Sequence, residues 1–124
     1  MKFITLMLAL SSASSFAATV HSAKLDASKK NILVDVSYGG GCKKHTFTLK
    51  LEGCRETYPV GCDAQLVEKI EGGFDACEAI VGQTVTLNLS KYRLDEAYYA
   101  NGSLTIKGDK DMSGKPSSAT VKLP

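Results

Sequence analysis

Two short spacings in this chain carry the residue types of coordination chemistry. Cys42-x-x-His45 and Asp75-x-Cys77 offer two thiols, an imidazole and a carboxylate, a donor set that suits a tetrahedral zinc or copper site. The same sulfurs have a second use. With Cys54 and Cys62 they make four cysteines, and an even count in a small exported chain is first of all a disulfide framework. Three pairings are open. Cys54 and Cys62 flank Tyr58-Pro59 and Gly61, a turn composition, so a local bond across a hairpin loop is the simplest choice. Cys42 is then left for Cys77. Loop-closure entropy makes the short ring worth about 2.5 kcal/mol and the long one nearly 4 kcal/mol. The metal and disulfide readings require opposite cysteine states. An oxidising compartment favours two disulfides, no cofactor, and His45 as a locally hydrogen-bonded residue at a loop or strand start.

Weaker constellations follow. Asp109-Lys110-Asp111-Met112-Ser113-Gly114 matches the first half of a calcium loop, with Asp109, Asp111 and Ser113 as oxygen ligands. Position twelve falls on Thr120 instead of Glu, and Pro116 interrupts the loop, so a polar hairpin connection is expected. The nine residues from Cys54 to Cys62 resemble a Bowman-Birk protease-inhibitor ring in length, in Thr57 at position four and in Pro59 at position six. That resemblance implies Glu56 as the specificity residue, although Arg55 replaces the usual Thr. An amino terminus at Thr19-Val20-His21 would suit Cu(II) through nitrogen ligands. Tyr92, Tyr98 and Tyr99 surround Asp95-Glu96 and form the best candidate binding patch, since tyrosine combines contact area with a polar tip. No nucleophile elbow, P-loop, dinucleotide fingerprint or zinc-protease motif occurs. A non-enzymatic protein is expected.

The elements that must position these residues are strands. Val34, Val36 and Tyr38 alternate with Asp35 and Ser37; Phe47, Leu49 and Leu51 alternate with Thr48 and Lys50; Val85, Leu87 and Leu89 alternate with Thr86 and Asn88. Period two is the mark of half-buried strands. Leu104 with Ile106 and Val121 with Leu123 repeat it. A first strand over 20–25 and a pair over 64–70 and 76–81 bring the total to seven or eight. A helix over 63–71 is the rival there, and residues 90–97 can form one helical turn crossing between sheets. Turn signals stand between the strands at Gly39-Gly40-Gly41, Gly72-Gly73 and Asn101-Gly102. The expected fold is all-β: a small antiparallel sandwich or barrel, stapled by disulfides.

Composition sets the remaining bounds. The chain has 124 residues, room for one ordinary domain. Fifteen Lys and Arg face thirteen Asp and Glu, which excludes the footprint of a nucleic-acid binder. Residues 1–18 read as a signal peptide, with Lys2 ahead of a short apolar run and small residues before the cut. Cleavage after Ala17 fits the small-residue rule better than cleavage after Ala18. Residues 19–124 form the expected single β domain. No later run reaches the ~20 apolar residues of a membrane span. The protein is therefore expected to be exported, periplasmic or extracellular, with a protein or other envelope ligand as partner.

One family resemblance lies on these motifs. Tyr38-Gly39-Gly40-Gly41-Cys42-Lys43-Lys44-His45, then Glu56-Thr57-Tyr58-Pro59, then Asp75-Ala76-Cys77-Glu78-Ala79 resemble small exported bacterial domains and a region of NigD-like envelope lipoproteins. The resemblance covers residues 34–89. It implies a β-rich envelope domain and assigns no catalytic residue. This chain lacks a cysteine at the expected cleavage site, so lipid anchoring is not carried over.

Overall fold

A computed structural model describes residues 18–124. The proposed signal segment, apart from Ala18, lies outside the described residues. Seven strands follow in chain order: β1 (Thr19–Leu25), β2 (Asn31–Gly40), β3 (His45–Arg55), β4 (Gly61–Ile70), β5 (Ala79–Asn88), β6 (Ser103–Lys110) and β7 (Pro116–Lys122). They form two sheets, a three-stranded one in the order β1-β2-β5 and a four-stranded one in the order β3-β4-β6-β7. The all-β sandwich expectation holds, at seven strands. All neighbours are antiparallel except β4 and β6, which run parallel from Gly61↔Ser103 to Gln65↔Lys107.

Alternation explains the core. Ile32, Val34 and Val36 of β2, Ala64 and Leu66 of β4, and Leu104 and Ile106 of β6 are buried at 2% exposure or less. Each large aliphatic side chain so buried stabilises the fold by roughly 1.5–3 kcal/mol before entropy is counted. Leu94 and Leu123, outside the strands, are buried in the same core.

Two expectations about the middle of the chain need correction. Residues 76–81 and 84–89, read as two strands, are one strand, β5, paired with β2 without interruption from Asn31↔Asn88 to Gly40↔Ala79. Gly82 sits in mid-strand opposite Ser37 and makes no turn. Residues 64–70 and 76–81 are likewise not neighbours, because β4 and β5 belong to opposite sheets. Gly72 and Gly73, at φ +76° and +81°, turn the chain out of one sheet towards the other, a conformation glycine adopts at no steric cost. The helical rival over 63–71 gives way to strand β4. Two 3₁₀ turns, Ser90–Tyr92 and Ala97–Tyr99, carry the chain back across, as expected for residues 90–97.

Candidate functional site

The richest polar cluster lies where β2 ends and β3 begins. His45 opens β3 on the inward face, two residues ahead of Phe47. On β4 the inward series Ala64, Leu66 continues to Glu68, which pairs with Phe47 and so stands diagonally beside His45. Residues 74–78, outside any strand, carry Asp75, and the Cys42–Cys77 disulfide ties them to the turn before β3. The imidazole is held from both sides. Its Nε2 lies 2.8 Å from Asp75 Oδ2 and its Nδ1 bonds to Glu68 Oε2. With both carboxylates ionised, both ring nitrogens donate and the ring is an imidazolium.

Asp75 is the hub. Its Oδ2 also accepts the backbone N–H groups of Gly41, Cys42 and Lys43 at 3.0–3.2 Å, while Oδ1 accepts the N–H of Cys77 at 3.1 Å. Such charge-assisted bonds are stronger than neutral ones. The side chains of His45, Glu68 and Asp75 are 1%, 3% and 1% exposed. Tyr38 stacks on the imidazole at 4.3 Å between centroids and donates its hydroxyl to Gln83 on β5 at 2.8 Å. Gly40 leaves room for the clasp: a Cβ there would stand 2.5 Å from Asp75 Oδ2, and its φ is +143°. Glu68 Oε1 alone is buried without a partner among the described residues.

The protonation states follow. Burial works against the His45 cation, but the bonds to Asp75 and Glu68 and their charges outweigh it, and its pKa is raised. The His45 hydrogen bond, aided by the backbone amides, holds Asp75 far below the usual carboxylate range. Burial, together with the charges of Glu68 and Asp75, pushes the Tyr38 phenol up.

Potential metal-ligand atoms of Cys42, Asp75 and Cys77 do converge within 4.8 Å, with His45 against Asp75, so the four residues singled out by spacing meet in space. They meet as a disulfide beside an ion cluster. Both sulfurs are bonded to each other, and Asp75 spends its oxygens on four N–H donors and the His45 ring. The other half of the disulfide framework also has the expected pairing: Cys54 and Cys62 are bonded across directly paired positions of β3 and β4, at 4.0 Å between Cα atoms.

Sequence reasoning missed Glu68 and Tyr38. The available signal for Glu68 was an acid on the inward period of an apolar strand, which burial permits only with a partner.

At the other end of β3 the surface is open. Tyr58 is 98% and Tyr98 55% exposed, and a groove of about 250 Å³ lies between Thr57, Tyr58, Val60, Ala97, Tyr98 and Ala100. Glu56 accepts the Tyr98 hydroxyl at 2.8 Å. Tyr92 and Tyr99 turn inward, and Tyr92 Oη accepts the Leu49 N–H at 3.2 Å. Only Tyr98 of the three-tyrosine patch is thus fully presented. Of the paired carboxylates, Glu96 bonds Arg93 at 2.8 Å, and Asp95 is exposed. In the β6–β7 connection Asp111 Oδ1 caps the turn, accepting from the N–H groups of Ser113 and Lys115 and from the Ser113 hydroxyl. Asp109 Oδ1 accepts the Lys110 N–H, giving the expected polar hairpin. Thr19 and His21 lie in β1, where His21 Nε2 is 2.8 Å from Ser37 Oγ and the Val20 N–H donates to Ser117 Oγ at 3.0 Å.

No family model matches the chain, and no curated protein is significantly similar to it.

Proposed function

We propose that this chain is an exported, disulfide-stapled β-sandwich that acts as a binding or structural module of the bacterial envelope and not as an enzyme. The observation that carries the reading is the closure of its most reactive-looking cluster. His45, Glu68 and Asp75 are turned on one another with almost no exposed side-chain surface, so the shifted titrations of His45 and Asp75 serve the fold. Structural ion clusters perturb pKa values as active sites do, and access separates the two cases. An aromatic surface around Tyr58 and Tyr98 is presented instead, the composition of a contact patch.

Export is supported by the two disulfides and by the resemblance to NigD-like envelope proteins. No described helix is long and apolar enough to cross a membrane. Cleavage after Ala17 fits the fold as well as the small-residue rule, since Ala18 is 3% exposed and its carbonyl accepts the Asp109 N–H at 2.8 Å. Removal of Ala18 would leave that N–H unpaired.

The test has two readouts on protein recovered from its host. The denatured mass is expected to be lighter than the reduced mass by four hydrogens, with Ala18 first. Labelled protein titrated with the host's envelope fraction should bind saturably, and Tyr58→Ala with Tyr98→Ala should weaken that binding about tenfold or more. Free thiols in an uncleaved chain, or binding without saturation, overturns the reading.

A further inference from the structure

The two sheets have four outer strands, β1 and β5 in one and β3 and β7 in the other. An edge strand presents unpaired N–H and C=O groups, and soluble proteins blunt such edges with charge, proline, bulges or cover. Three of these edges are treated that way. β1 carries Lys24 and a register shift between Val20 and Ser22, and its start is tied to the β6–β7 hairpin through Ser117. Lys50, Glu52 and Arg55 lie along β3, which shifts register between Leu51 and Gly53. β7 is short, begins at Pro116 and ends at Lys122.

β5 has none of these devices. Its ten residues, Ala-Ile-Val-Gly-Gln-Thr-Val-Thr-Leu-Asn, contain no charge and no proline. Its ladder with β2 runs through ten pairs without a shift. Among the described residues no strand pairs with its other side. The outward face of its first half is open: Ile80 is 73% exposed, and Phe74, in the run leading to it, is 69% exposed.

We propose that β5 pairs antiparallel with β5 of a second copy, joining two three-stranded sheets into one of six. The absence of charge selects this occupant. In an antiparallel two-fold pairing about Gly82, Gly82 meets itself, Val81 meets Gln83 and Ile80 meets Thr84, so no charge is set against a like charge. β5 is the one edge strand of the four without a charged residue. Residues 79–84 are the freest part, which places the axis near Gly82. There, Cβ would meet nothing within 4 Å. A ten-residue strand spans about 33 Å, and one strand's width covers less than the ~800 Å² per partner of a standard interface. The dimer is accordingly weak and concentration-dependent.

Sedimentation equilibrium of the disulfide-intact mature protein, from about 10 µM to about 1 mM, spans the range expected for so small an interface. The mean mass should climb reversibly from one chain towards two. I80K/G82K places like charges across the axis and should raise the dissociation constant about tenfold or more. Mixing that variant with I80E/G82E should restore pairing, while L51K on the β3 edge should leave it unchanged. Both altered positions are exposed, so a circular dichroism melt like the parent's keeps misfolding out of the comparison. A mass that stays at one chain throughout overturns the proposal. So does a dimer that survives I80K/G82K, one that L51K weakens equally, or a Lys/Glu mixture that fails to pair.

Discussion

The two ends of the β3–β4 hairpin carry one disulfide each and are built on different principles. At the His45 end the Cys42–Cys77 bond closes over a buried imidazolium, two carboxylates and a stacked tyrosine. At the Arg55 end the Cys54–Cys62 bond closes a small ring whose tip is exposed. The first joins segments 35 residues apart, the second segments only 8 apart. One end holds tertiary structure together, and the other rigidifies a surface. A staple's reach thus separates a fastening from a display.

The largest effect that would break this comparison is loss of the long staple. C42S/C77S should lower unfolding free energy in urea by about 4 kcal/mol, against about 2.5 kcal/mol for C54S/C62S. Equal losses would show that loop length does not govern the difference. Next, Gly40→Ala should cost about 2 kcal/mol or more, because it adds a clash with the clasp to the cost of its φ. Gly53→Ala, at φ +156° with open space around it, should cost less. The same urea titrations compare the two.

A third test is pH. His45 is raised above its ordinary 6.5, so its stabilisation is full below that value and is lost as pH rises through the higher folded pKa. Asp75 is lowered from 3.8; its stabilisation is full above 3.8 and is lost as pH falls towards the lower folded pKa. Thermal midpoints should therefore be highest between about pH 4 and 6.5, and His45→Gln should flatten the alkaline decline. A profile unchanged by His45→Gln would remove the imidazolium from the clasp. The smallest effect belongs to the open end. Tyr98→Phe deletes an exposed hydrogen bond to Glu56 and should change stability by less than about 0.5 kcal/mol in the same melts.

Much of this was legible before any coordinates. Alternation located the strands, since inward residues such as Val34, Leu49 and Ile106 must be apolar at every second position. The spacing around Tyr58-Pro59 pointed to the short ring, and the remaining cysteines followed. Strand order was not legible: period two says which face is buried and nothing about which strand lies alongside. For that reason β4 and β5 looked like neighbours, and the parallel contact of β4 with β6 went unseen. The runs 76–81 and 84–89 looked like separate strands because each shows its own short alternation, and period two does not say whether two adjoining runs are continuous. The clasp was half legible. Cys42, His45, Asp75 and Cys77 were grouped by ligand type, and the fold does group them, but Glu68 belonged to a strand whose pairing register was unknown.

The parallel contact between β4 and β6 also governs how the chain can fold. Residues 71–102 lie between those strands and include β5, a member of the opposite sheet. The four-stranded sheet cannot close until the chain has crossed to its counterpart and returned. Neither sheet is therefore an autonomous folding unit, and the two must be lost together. Stability is expected to report on the whole sandwich in a single transition, reached slowly for a chain of this size because its pairings are so far apart along the sequence.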